Sequence, residues 1–215
     1  MTDVGTILTD LNAARPGTTP VLRAIRQRHS RDLRTASAGD VLTAAIALDA
    51  ALPQEWKWVA YELVRHHPGA FGAISTRDVT AFSRGLGSWY AVDGFGTILV
   101  GPLWARGRLP DALIDRWARS PDRWLRRSAL VATVGMNARA SGEGDPARTL
   151  AICARLVEDR DDMVEKALSW ALRVLSQRNR DAVVRFVAEH DSVLAARVRR
   201  EVRNKLSTGV KNPRR

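Results

Sequence analysis

Apolar residues recur at helical spacing along almost the whole chain, and no run alternates apolar with polar positions between hairpin turns. This periodicity predicts an all-α fold, with helices over 3–13, 20–34, 39–50, 54–66, 76–86, 88–105, 110–118, 121–139, 146–158, 161–177, 180–188 and 191–205. The punctuation agrees. Ser120-Pro121-Asp122 offers an N-cap, a proline at the first helical position and an early acid, while Gly107 to Pro110 and Ser141 to Pro146 read as loops.

Helix pairs return at roughly 35–45 residues without a strict repeat, which predicts a HEAT-like α-solenoid of antiparallel helix pairs with one concave face. A globular helical bundle has the same periodicity and stays open as the alternative. No linker divides the 215 residues, so one domain over 1–206 is expected, followed by a flexible basic tail over 207–215.

Charge narrows the partner. The formal net charge is +11 and the pI about 11.1, which calls for a polyanion: DNA, RNA or an anionic membrane surface. Residues 1–110 carry 12 basic and 9 acidic side chains, whereas 111–215 carry 22 and 14, so the phosphate-facing surface is expected to lean on the second half. Only four of the basic residues are lysines. Arginine is the better fork for phosphate and the better stacking cation, although genomic base composition explains the same bias.

One cysteine, Cys153, excludes an internal disulfide and a cysteine-based zinc site. The sequence starts without a basic region followed by a long apolar run, and no apolar stretch approaches the ~18 residues of a membrane span. A soluble cytoplasmic protein that does not engage a membrane is therefore expected. His66 and His67 diverge on a helix, and Gly94-Phe95-Gly96 and Gly142-Glu143-Gly144 do not match phosphate-cradling patterns, so neither metal nor cofactor is expected.

Trp89 and Asp93 stand four residues apart, so on a helix they share one face, an aromatic plane beside a carboxylate. That is a small cation-binding surface. The bland alternative is Asp93 as an N-cap with Trp89 in the core. In 161–175 Trp170 falls at the edge of the apolar arc, next to Lys166 and Arg173, either as core or as a ring bordering a basic stripe. Arg126 and Arg127 lie on adjacent faces of their helix; one can reach a phosphate or a buried carboxylate such as Asp93, or each can be simply solvated.

These blocks together resemble the AlkD-type DNA alkylation repair glycosylases, HEAT-like proteins that excise alkylated purines. The resemblance is carried by Ser88-Trp89-Tyr90-Ala91-Val92-Asp93, by Ser120 to Leu130, by Glu165 to Arg173 and by Arg199 to Leu206, and covers roughly residues 50–206. It implies that Asp93 is the catalytic aspartate, that Trp89 and Trp170 contact the lesion, and that Arg127 is the active-site arginine. Arg126, Lys166, Arg173, Arg199, Arg203 and Lys205 would hold duplex DNA. The resemblance also implies action on N3- or N7-alkylated purines; a monomer on nucleoid DNA is the expected state, since one protomer can wrap a duplex. The early segment departs from the family pattern: Arg31-Asp32-Leu33-Arg34 stands near its Phe-Leu-Gly-Ile-like stretch, and no aromatic residue precedes Trp56.

Alkylation at N3 or N7 gives the purine a positive charge, so it leaves without protonation by the enzyme. One carboxylate then suffices to stabilise charge on the sugar and to position water. A non-catalytic helical protein binding distorted or branched DNA is the rival reading, and a scaffold for an acidic protein is a third.

Overall fold

The computed structural model describes residues 3–213, and every regular element among them is helical. The chain forms two compact units, Met1–Ile98 and Leu99–Arg215. Arg214 and Arg215, the last two residues of the expected tail, lie outside the described residues.

The first unit contains α1 (Val4–Ala13), α2 (Thr19–Asp32), α3 (Ala38–Ala51), α4 (Trp58–His66), α5 (Ala70–Ala73), α6 (Thr76–Ser83) and α7 (Trp89–Gly94). α3 packs against α1, α4, α5 and α6, while α4 packs against α2 and α7. Ile7, Leu11, Leu22, Leu48, Val59 and Val79 fill the interior. Tyr61 is fully buried beside them, meeting Phe82 edge-on at 5.6 Å and Phe95 at 5.7 Å, as aromatic quadrupoles prefer.

The second unit contains α8 (Gly101–Ala105), α9 (Asp111–Ala118), α10 (Arg123–Met136), α11 (Pro146–Arg155), α12 (Asp162–Leu175), α13 (Arg180–Glu189) and α14 (Ala196–Thr208). α8, α10, α12 and α14 pack successively in one row; α9 and α11 lie against α10 and each other, and α13 against α12 and α14. Within this unit, that stacking is consistent with the expected α-solenoid. The last ten residues of α10 are covered on every side: Arg127 through Met136 are all buried, the signature of a helix segment without a solvent face. Gly101 makes its contact with α10 possible, since a Cβ there would lie 2.5 Å from both Ala132 O and Met136 N.

Several boundaries differ from the periodicity. The expected helix over 88–105 is three segments, because Phe95–Val100 is π-helical between α7 and α8. Pro102 has no N–H to continue an α register. The helix expected from 54 begins as a 3-10 turn over Gln54–Trp56, and α5 is too short for periodicity to register. α10 starts at Arg123 because Asp122, not Ser120, is its N-cap: Asp122 Oδ1 accepts from Trp124 N at 2.8 Å, and Ser120 Oγ accepts from Asp122 N. α14 starts at Ala196 rather than 191 and runs to Thr208, closing on Gly209 with φ 78°. Beyond it Lys211 O accepts from Asn204 Nδ2 at 3.1 Å, and Lys211 Nζ lies 3.3 Å from Glu201 Oε1.

Candidate functional site

α7 is set from below and from its N-terminal side. Gln54 donates through Nε2 to Gly85 O and accepts through Oε1 from Gly87 N, both at 2.8 Å, clamping the loop that leads into α7. Under that loop Lys57 and Asp49 form a buried pair, Nζ to Oδ2 3.1 Å, and Gly85 passes so close that a Cβ would sit 3.0 Å from Lys57 Nζ. Burial pushes the Asp49 carboxyl up, and Lys57 pulls it the other way. Ser88 then caps α7, and Gly94 at its end approaches Trp58, where a Cβ would come within 3.2 Å of Trp58 Cβ.

This placement removes the bland alternative for α7 in both its parts. Asp93 lies inside the helix, one turn after Trp89, so it is not a cap. Trp89 is 43% exposed, so it is not core. The Trp89 and Tyr90 rings stack with centroids 3.7 Å apart. Asp93 is half-buried, and its backbone carbonyl accepts from Thr97 Oγ1 at 2.6 Å. In the first unit Trp89 and Asp93 thus stand one helical turn apart on α7, with Trp89 open to solvent.

In the second unit Arg126 and Arg127 part company. Arg127 is 5% exposed and donates through Nη1 to Met163 O at 2.5 Å, so the solvated reading fails for it. Arg126 turns the other way, pairing with Asp159 at 2.7 Å and donating to the carbonyls of Ser120 and Pro121. Its fork is occupied in holding the α10 entry to the turn before α12. Trp170 is half-buried on α12, between a fully packed face and solvent, which matches the edge position expected. α10 and α12, carrying Arg127 and Trp170, pack against each other.

The remaining expected cations all have intramolecular partners. Lys166 pairs with Asp162 at 2.6 Å, and Arg197 shares that carboxylate; hydrogen bonds from both hold Asp162 below the ordinary aspartate range. Arg173 donates to Ser169, and burial pushes its guanidinium down while Glu201 supports its charge. Arg199 and Arg203 both reach Asp191, through its carbonyl and carboxylate, and Lys205 donates to Gly209 O. Lys166 and Arg203 are surface pairs of the kind that exchange readily for a phosphate.

Sequence reasoning passed over Gln54, Trp56, Trp58 and Tyr90, which adjoin or belong to α7 and the loop before it. The signal was present as aromatic density, with Trp56 and Trp58 flanking Lys57 and Tyr90 following Trp89. Cys153 is fully buried with its thiol pushed up, as a core cysteine would be. No helix among the described residues is long and apolar enough to cross a membrane.

The first unit offers an exposed aromatic face for a cation with a carboxylate one turn away, and the second unit by itself carries arginine-rich helices. A family model described as DNA alkylation repair enzyme matches residues 17–206, spanning all of these positions. No curated protein matches the chain.

Proposed function

The chain belongs to the DNA alkylation repair enzyme family, and on that premise we propose that it is a DNA glycosylase releasing N3- or N7-alkylated purines from duplex DNA as a monomer. The observation that carries this reading is the pairing of Trp89 and Asp93 on α7, with Trp89 open to solvent. A repair enzyme that only gripped DNA would have no use for a carboxylate near phosphate, where it repels the ligand.

The cationic purine leaves with the electron pair of the C1′–N9 bond, and positive charge passes to the deoxyribose. Asp93 stabilises that charge and accepts the proton of the water that adds at C1′. The ring of Trp89 adds a cation–π attraction of ~0.5–2 kcal/mol, felt by the charged lesion nucleotide and not by a neutral one. By resemblance, Trp170 contacts the sugar and backbone of the lesion, and Arg127 binds a phosphate near it or orients Asp93. Lys166, Arg173, Arg199, Arg203 and Lys205 hold the duplex by charge. Arg126, committed to Asp159, contributes to the shape of that surface more than to the grip.

The test is release of free base from a duplex carrying a single N7-methylguanine, with wild type and Asp93→Asn side by side. Release by wild type and none by the variant is the expected result. Full activity in Asp93→Asn would remove Asp93 from the mechanism. Tight, salt-sensitive binding with no release of any alkylated base would leave a non-catalytic DNA-binding protein.

A further inference from the structure

Within the second unit a cavity of about 340 Å³ opens between the C-terminal ends of α10 and α12, lined by Val134, Ala138, Arg139, Val174, Gln177 and Arg178 among others. It continues a face that already carries the expected site residues. Along α10, Arg127 and Val134 lie two turns apart on one side. Along α12, Lys166, Trp170 and Arg173 share a side, and Gln177 extends it in the tightened turn where its N–H donates to Val174 O.

No acidic residue lines this cavity. Arg139, on the 3-10 turn Arg139–Ser141 that follows α10, is exposed, and its guanidinium has no partner among the described residues. That sets it apart from Arg126, Lys166, Arg173 and Arg203, whose donors are engaged within the protein. Arg178 fixes the turn from both sides, donating through Nε to Asn137 O at 3.0 Å and through Nη2 to Gly142 O at 2.9 Å, which leaves Nη1 to spare. The exposed side chain of Gln177 is also without a partner among the described residues. Two helix C-termini would ordinarily repel an anion, but here their carbonyls are occupied. Asn137 O accepts from Arg178, Val174 O from Gln177 N, and Leu175 O from the amides of Arg178 and Asn179. A cation would meet two guanidinium groups, whereas an anion meets donors from three side chains.

We propose that this cavity seats one backbone phosphate of the duplex, about three nucleotides along a strand from the one that meets Trp170. Arg139 supplies the charge, Arg178 a guanidinium edge held in place, and Gln177 an amide N–H. The spacing follows from the helix: Gln177 stands about 10 Å beyond Trp170 at ~1.5 Å per residue, and a strand advances ~3.4 Å per nucleotide. A phosphate contact carries no sequence information and fixes register, so this one would hold the duplex against sliding while the lesion lies at Trp170. The inference rests on the reading of the α10 and α12 face as the one that meets DNA, and adds to it a contact outside the lesion.

The test uses the full chain and follows its affinity for an undamaged duplex as salt is raised. Arg139→Ala should weaken binding about tenfold and lower the slope of log K against log salt by about one, as loss of one phosphate contact requires. Gln177→Ala should weaken binding about threefold with the slope unchanged, because an amide displaces no counterion. Arg185→Ala removes an equally exposed and unpartnered arginine from α13 and should change neither. All three variants should keep the wild-type melting temperature. In duplexes with one N7-methylguanine, a neutral methylphosphonate is then placed at each phosphate in turn. Among the positions that matter to wild type, one at ~3 nucleotides from the lesion should cease to matter in Arg139→Ala. A wild-type slope in Arg139→Ala, or no position at which that variant loses sensitivity, would overturn the proposal; base release persisting beside that result would leave the glycosylase standing. The coupling without release of any alkylated base would keep the phosphate site in a protein that is not a glycosylase.

Discussion

Ser169 Oγ donates a 2.5 Å hydrogen bond to Glu201 Oε2, joining α12 to α14 through two buried side chains. Lys211 approaches the same carboxylate at 3.3 Å, and Arg173 donates to the same hydroxyl at 3.2 Å. Glu201→Ala removes the acceptor and strands the half-buried Arg173 cation, so it should cost about 2–4 kcal/mol of stability. Glu201→Gln keeps an acceptor and should cost about half as much. Urea unfolding decides between them; a loss below ~0.5 kcal/mol for the alanine variant would show that the carboxylate is dispensable.

Trp89 should matter for turnover and hardly at all for folding. Its ring is 43% exposed and supported chiefly by Tyr90, so Trp89→Ala should shift stability by under ~1 kcal/mol. Loss of its cation–π contact should slow release of an alkylated base by about tenfold or more. Single-turnover excision measured beside a thermal melt separates the two effects. Equal activity in the variant would mean that the lesion does not lie against this ring.

Asp162 restrains two cations, Lys166 and Arg197. Its carboxyl is held below the ordinary aspartate value by hydrogen bonds from Lys166 and Arg197. Its contribution is therefore complete above the ordinary value and disappears as pH falls through the lower folded value. An NMR titration should find the low midpoint, and Lys166→Ala should raise it. Asp162→Asn frees both cations, so affinity for undamaged duplex should rise and the salt slope steepen by about one phosphate contact. An unchanged slope would place Lys166 and Arg197 away from DNA.

Cys153 reports on global unfolding. It is fully buried and its thiol is pushed up by that burial, so almost no thiolate meets solvent in the folded protein. A thiol reagent should react only as fast as the second unit opens, and denaturant should accelerate the reaction in step with loss of helical signal. Prompt reaction in native buffer would contradict this packing.

The helices were legible because each repeats its apolar residues over several turns, and Trp89 with Asp93 was legible because one turn of helix fixes their common face. The choice between Arg126 and Arg127 was not. Neighbours on a helix point about 100° apart, and only the docking of α12 on α10 decides which of them is enclosed. The cavity of Arg139, Gln177 and Arg178 was hidden for another reason: it is assembled from α10, the turn after it and the end of α12, whose meeting no local pattern encodes. The π-helical turn was foreshadowed by Pro102, whose consequence depends on register rather than on composition.

The clamp that Gln54 places on the loop before α7 is made by a neutral amide and two backbone groups. Acid does not titrate it, and mobile ions do not screen it. The hold on a polyanion, by contrast, is made of guanidinium and ammonium groups and weakens with every increment of ionic strength. Raising the salt should therefore detach such a protein from its track while its reaction centre stays in working order, ready to engage again on dilution.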